Sequence, residues 1–185
     1  MPSRPEQLLD AAITVLGSQG IRQLTHRAVD AEAGLPAGSA SNYFKTREAL
    51  VNAMIVRFAD RERASWEALS GMVTPHTPGE LAAALAAYVR RAVGPDRVVT
   101  LARYGVFLEA ALRPDSRAQI TESAREIRRW GADWLREVGA ADPELACELL
   151  LDAVDGLILH HLAYPDLTGD LEARLLAMVR GNLGS

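Results

Sequence analysis

Residues 24–44 read LTHRAVDAEAGLPAGSASNYF, and this stretch decides the fold. Thr25 suits the N-cap of a short helix, His26 to Ala33, and Gly34 ends it because glycine accepts the left-handed backbone of a tight turn. Pro36 opens a second short helix that runs to about Phe44. Two helices of about eight residues are too short to persist alone. Upstream, Leu8, Leu9, Ala12, Ile13 and Leu16 recur at helical spacing and supply a third helix, expected to start near Pro5 and to be stopped by Gly17 and Gly20. Val29, Leu35 and Phe44 complete a small core. The arrangement expected is a helix-turn-helix, whose second short helix enters the major groove of DNA.

The chemistry of the second short helix fits that use. Gly38, Ser39, Ala40 and Ser41 keep it slim, so its backbone can approach the groove floor. Ser39, Ser41 and Asn42 offer short donors and acceptors, and asparagine suits the edge of adenine. Tyr43, Lys45 and Arg47, beside the start of a helix capped by Thr46, form a phosphate site. A small polar helix with a solvated face would share this composition.

Residues 8–58 resemble the DNA-binding region of the tetracycline-repressor (TetR) family of bacterial transcriptional regulators. The resemblance runs through LLDAAITVL, Gly20, the stretch quoted above, and KTREALVNAM. Its spacing makes it specific: Ala33-Gly34-Leu35 forms the turn, Tyr43-Phe44 closes the third helix, and Arg47-Glu48-Ala49-Leu50 opens the fourth. The resemblance implies phosphate contacts from Thr25, Tyr43 and Arg47, with Lys45 and Arg27 close by. It implies base-edge or groove contacts from Arg27, Ala37, Gly38, Ser39, Ser41 and Asn42. It further implies a homodimer on roughly palindromic operator DNA, most often a repressor, controlled by a small-molecule effector. Two positions depart from the family pattern. Pro36 stands where serine is frequent, so side-chain capping there is lost. Asp30 stands where a small alanine is usual, and must face outward or find a partner.

The remaining composition agrees with an all-α protein. Of 185 residues, 31 are alanine and 25 leucine, while aromatics make up 5%, which excludes an all-β fold. Cys147 is the single cysteine, so neither an intramolecular disulfide nor a thiolate metal cluster is expected. No apolar run reaches the roughly 18–20 residues needed to cross a bilayer, and MPSRPEQLLDAA lacks a signal-peptide core. A cytoplasmic protein with no membrane role is expected. The net charge of −4 is divided unevenly: residues 1–61 carry +1 and the remainder −5. A locally basic head on an acidic body suits a DNA-reading module attached to something else.

The stretch 71–79, GMVTPHTPG, reads as a linker, after a helix from Thr46 to about Ser70. Beyond it, helices are expected over Glu80–Val93, Asp96–Leu112, Asp115–Val138, Pro143 to about Tyr164, and Asp170–Asn182. About nine helices result, divided into a helix-turn-helix domain at 1–46 and an effector-binding and dimerisation domain at 47–185. Residues 98–112, VVTLARYGVFLEAAL, are apolar around most of a helix, with Arg103 and Glu109 as the charges, so this helix must be buried on several sides. Tyr88, Tyr104, Phe107, Trp130 and Trp134 can wall an apolar pocket, with Arg103 and Asp155 as polar members. In LLLDAVDGLILHHL (149–162) the leucines point several ways. Pairing through Leu150, Gly156 and Leu157 with a second copy, completed by Leu171, Leu175 and Val179, is the economical reading.

No cofactor, metal or catalytic group is expected. Adjacent His160 and His161 diverge by about 100° on a helix and cannot chelate together. The carboxylates of Glu148, Asp152 and Asp155 form a stripe that a solvated face explains. Two other functional classes make different demands of the chain. An architectural DNA-binding protein would need a strongly basic surface, which the acidic body opposes. An all-α enzyme would need Glu109, Asp155 and His160 in one cleft.

Overall fold

The computed structural model describes residues 2–72, 74–165 and 169–184. Among these there are nine α-helices and no strand: α1 (Arg4–Gln19), α2 (His26–Glu32), α3 (Ser39–Tyr43), α4 (Arg47–Met72), α5 (Pro78–Val93), α6 (Arg97–Ala111), α7 (Pro114–Glu137), α8 (Pro143–Ala163) and α9 (Leu171–Asn182). A short 3₁₀ turn, Ile21–Gln23, precedes α2. Val73, in the expected linker, lies outside the described residues. Packing divides the chain into two compact units: residues 1–64 with 96–123 form unit 1, and residues 65–95 with 124–185 form unit 2. α4 and α7 each contribute to both. This division follows contacts, and it places α6 with the head.

The core of unit 1 is built on α1. Leu8, Ala12, Ile13, Val15 and Leu16 pack with Leu24, Val29, Ala40, Leu50, Met54 and Ile55, and with Ala102 and Val106 of α6. Gly17 does not stop α1, which continues to Gln19. Its role is close approach: a Cβ built on Gly17 would lie 1.9 Å from the Val98 carbonyl oxygen of α6. Seven residues along α6 from Val98, about two turns, a Cβ on Gly105 would meet Leu16 at 3.1 Å. Only hydrogen fits at the first of these crossings.

α1 and α4 are tied at their surface. Arg57 Nε and Nη2 donate to the two oxygens of Asp10 at 2.9 and 3.1 Å, Arg57 Nη1 reaches Glu6 at 3.1 Å, and Arg61 joins Asp10 at 3.1 Å. Partial burial works to raise the Asp10 carboxyl, but hydrogen bonds and charge from Arg57 and Arg61 outweigh it and hold the group below its ordinary 3.8. A lowered carboxyl stabilises the fold above its unfolded value, and that contribution is lost as pH falls through the folded value. Stability followed by circular dichroism should therefore fall below pH 3.8, and Arg57→Met should flatten that part of the acid profile. Superimposable profiles would show the bridge to be inert.

The two departures in the helix-turn-helix compensate each other. α3 spans five residues, shorter than expected, because Pro36 to Gly38 form a turn ahead of it, with Gly38 at φ 92°. Asp30 faces inward with 3% exposure. Its Oδ2 accepts the Gly38 N–H at 2.8 Å and its Oδ1 the Ala40 N–H at 2.7 Å. The cap that Pro36 cannot supply comes from α2.

In unit 2, α5 packs on α8 and α9. Each of the three helices has a side-chain cap: Thr77, Asp142 and Asp170 accept from the Glu80, Leu145 and Ala173 N–H at 3.0–3.1 Å. Leu81, Ala86 and Val89 of α5 are buried, as are Val154 and Ile158 of α8. So are Leu150, Leu157, Leu175 and Val179, four residues expected at a dimer face. That expectation needs correction, because their surface is already covered inside the protomer. The large apolar side chains that α8 leaves exposed are Leu145, Leu149 and Leu159.

Candidate nucleic-acid interface and candidate ligand pocket

The residues expected along the groove and at phosphates lie together on unit 1. Thr25 caps α2 by accepting the Ala28 N–H at 3.2 Å. Among the described residues its hydroxyl proton has no acceptor, so it can donate to a phosphate. Arg27, Ala37, Gly38, Ser41, Asn42, Lys45 and Arg47 are exposed, Ser39 is half-buried, and Tyr43 is 51% exposed. Arg22, Arg27 and Lys45 form no ion pair among the described residues, which leaves their charge for an anion. Asn42 has both faces of its amide open.

Three details go beyond the sequence. Ser39 Oγ donates to the Pro36 carbonyl at 2.6 Å, and Ser41 Oγ to the Gly38 carbonyl at 2.9 Å. Both serines therefore present oxygen lone pairs outward. His26 Nε2 lies 2.6 Å from the Phe44 carbonyl, which can only accept, so this nitrogen carries the proton. Arg47 Nη2 and Nε donate to the carbonyls of Ile21 and Leu24 at 2.8 and 3.3 Å. Its guanidinium thus braces the turn before α2, a role the sequence did not show. Its Nη1 makes no hydrogen bond among the described residues, next to the start of α4, where Thr46 accepts the Ala49 N–H at 3.0 Å.

Unit 2 holds a narrow apolar cavity of about 40 Å³. Trp66 of α4, Leu81 and Leu85 of α5, Ile127, Trp130 and Trp134 of α7, and Cys147, Leu150 and Val154 of α8 line it. Burial pushes the Cys147 thiol up to about 11, so it is neutral at physiological pH. A Cβ on Gly131 would lie 2.6 Å from its sulfur, and the glycine leaves that room.

The structure brings Trp130 and Trp134 into this pocket. Tyr88 stands one ring away, tilted at 43° against Trp66 with centroids 5.0 Å apart. Arg103, Tyr104 and Phe107 belong to α6 in unit 1 and are not part of it. Arg103 Nε lies 2.7 Å from Glu62 Oε1, its guanidinium sits 5.0 Å above Phe107, and Tyr104 packs edge-on to that ring at 6.3 Å. Asp155 is half-buried on α8, outside the pocket lining. Trp66, Leu81, Leu85 and Cys147 were missed, and helical spacing within one segment could not single them out.

Glu109 is in unit 1, where it pairs with Arg113 at 2.9 Å, whereas Asp155 and His160 are in unit 2. Among the described residues no group of His, Cys, Asp and Glu could hold a metal ion, and no helix is long and apolar enough to cross a membrane.

Two regions of the chain match known families. Residues 8–54 match the family model of bacterial regulatory proteins of the tetR family, and residues 76–185 match that of the tetracyclin repressor-like C-terminal domain. The HTH-type transcriptional regulator BetI of Cronobacter sakazakii is 26% identical over 162 residues, which cover 85% of this chain and 79% of that protein. Among solved structures, the multidrug binding protein EbrR complexed with proflavin is 32% identical, with a TM-score of 0.62, covering 96% of this chain and 99% of that one. A TetR family member from Streptomyces coelicolor is 29% identical over the full length of both chains, with a TM-score of 0.68. With a helix-turn-helix in its amino-terminal part and the family's ligand-binding module at its carboxyl end, this chain belongs to the TetR family of bacterial transcriptional regulators.

Proposed function

We propose that this protein is a homodimeric repressor that reads a roughly palindromic operator and is released by a small, neutral, largely apolar effector. The observation that carries it is the exposed face from Thr25 to Arg47, where Arg27 and Lys45 form no ion pair among the described residues, around a slim, polar α3. In this reading the division of labour is by function: residues 1–46 meet DNA and the rest of the chain serves the effector and the dimer. Thr25, Tyr43, Lys45 and Arg47 hold phosphates. Arg27, Ala37, Gly38, Ser39, Ser41 and Asn42 lie along the groove. Two heads about one helical turn apart, on the order of 34–36 Å, would read the half-sites.

The effector class follows from the pocket. EbrR is complexed with proflavin, and among the described residues no carboxylate lines the pocket of unit 2. Tryptophan and leucine walls without a counter-charge favour a neutral guest, because a cation stripped of water needs an anion beside it.

The dimer surface assigned to α8 is revised by burial. Leu145, Leu149, Asp152, Gly156, Leu159 and Ala163 follow one another at alternating steps of four and three, and all are exposed. That spacing makes a single stripe, as in paired helices. A Cβ on Gly156 would meet nothing within the protomer, so its surface is open to a partner. Leu171 on α9 is half-buried and can border this face. Joint Leu149→Asp and Leu159→Asp substitution should give a monomer at micromolar concentration with its helical content intact, by sedimentation. A dimer that survives both changes would move the interface elsewhere.

The test of function is a ligand titration read by tryptophan fluorescence, with and without a duplex selected from random sequence. Neutral aromatic compounds should quench Trp66, Trp130 and Trp134 and weaken operator binding. Operator should weaken the ligand by the same factor, typically about 5–150-fold. Tyr43→Phe should weaken all duplexes alike, whereas Asn42→Ala should relax preference at particular base pairs by roughly 1–3 kcal/mol. Equal ligand affinity in both titrations would leave a DNA-binding protein with no switch.

A further inference from the structure

α3 has five residues, little more than one turn, and no cooperative stability of its own. Its orientation is therefore that of whatever holds its two ends. Both ends are held by α2. At the start, Asp30 receives the N–H groups of Gly38 and Ala40 at 2.8 and 2.7 Å. At the finish, His26 Nε2 donates to the Phe44 carbonyl at 2.6 Å. The two side chains are four residues apart and so share one face of α2. Asp30 is the inner of the pair, with 3% exposure. A carboxylate so deep is tolerated only when its oxygens are hydrogen-bonded, and charge-assisted bonds to backbone N–H are strong ones. Gly38 and Pro36 have no side-chain acceptor that could take its place.

We propose that Asp30 is a positioning residue for sequence reading: from behind α3 it sets the rotation and depth at which Ser41 and Asn42 meet base edges. The inference rests on α3 being the groove-reading helix. Asp30 touches no DNA itself, and the groups assigned to phosphates, Thr25, Tyr43 and Lys45, stand outside its two hydrogen bonds. Its loss should therefore cost preference for the operator and spare general affinity for duplex DNA.

The test uses the full chain as wild type, Asp30→Asn and Asp30→Ala. Asn keeps the size of the side chain but turns an NH₂ toward one of the two N–H groups, leaving that bond unmade. Binding is measured to the duplex that the wild type selects from random sequence and to a scrambled duplex, at several salt concentrations. Amide proton resonances of Gly38 and Ala40 are recorded without DNA. For Asp30→Asn we expect binding to the selected duplex to weaken by roughly tenfold or more, the worth of one good base-edge contact. Affinity for the scrambled duplex should stay within about twofold with an unchanged salt slope, since phosphates carry that term. At least one of the two amide protons should move upfield while helical content is retained.

Undiminished selectivity in Asp30→Asn overturns the proposal. So does an equal loss on both duplexes, with or without a loss of helix, which would make Asp30 an ordinary core residue. A wild type that selects no duplex removes the function on which the proposal rests. Amides that stay in place while the wild type remains selective remove the cap alone.

Discussion

Gly17→Ala should lower the midpoint of thermal unfolding by roughly 6–12 °C, the equivalent of about 3 kcal/mol in a chain of this size. The added methyl carbon would stand 1.9 Å from the Val98 carbonyl oxygen, 2.8 Å from its carbon and 3.0 Å from its Cγ1. Two of those atoms are backbone, so no rotamer change can relieve the clash. α1 and α6 would have to separate, and the contacts of Leu16 with Gly105, about two turns along α6 from Val98, would open with them. A glycine inside a helix costs about 1 kcal/mol against alanine when the site is open. Gly181 of α9 is such a site, since a Cβ there meets nothing within 4 Å. Gly181→Ala should accordingly be neutral or stabilising by up to about 1 kcal/mol. Opposite signs for the same chemical change, read from two melting curves, would isolate the crossing as the cause. A Gly17→Ala protein as stable as the wild type would mean that the helices cross less closely.

Arg103→Met should cost about 3 kcal/mol, because Glu62 would be left charged in a nearly closed site. The side chains of the pair are 13% and 14% exposed, with 2.7 Å between Nε and the carboxylate. The guanidinium also lies 5.0 Å over Phe107, a cation–π contact of about 1 kcal/mol at such a site. Glu62→Met should be comparably costly, and the double substitution should cost less than the sum of the two. A buried ion pair replaced whole by apolar groups is often neutral, whereas half of one is not. The three variants therefore form a double-mutant cycle, read by denaturant unfolding. Strict additivity would show that the two charges do not interact. The same variants bear on the effector, since Arg103 was read from the sequence as a pocket residue. With the guanidinium committed to Glu62 in unit 1, ligand affinity should change far less than stability does.

How much of this was legible beforehand depended on the range of the signal. The helices of the head could be read from neighbours within a few residues: Thr25 and Thr46 as caps, Gly34 as a turn, Leu8, Ala12 and Leu16 as one buried stripe. The exposed face from Thr25 to Arg47 was equally legible, because a slim polar helix followed by Tyr43, Lys45 and Arg47 carries its chemistry in its own letters. Its spacing also identified the family. The residues misread were those whose role depends on a helix arriving from elsewhere. A helix that is apolar all round does not say which of its leucines its own chain covers. Leu150, Leu157, Leu175 and Val179 went inward, and Leu145, Leu149 and Leu159 were left out.

The sequence by itself therefore determined that the chain is all-α, with a helix-turn-helix in its amino-terminal part. Those properties are set by spacing, capping and composition inside one segment. Only the tertiary structure decided what the ambiguous letters do. Gly17 looks the same whether it breaks a helix or lets Val98 approach, and Asp30 looks the same whether it faces water or caps α3. Arg103 chose Glu62, and Trp130 and Trp134 found Trp66, Cys147 and Leu150 around one cavity. The physical reason is that burial and hydrogen bonding are properties of pairs distant in the chain, and a pattern confined to a few turns of helix does not contain the partner.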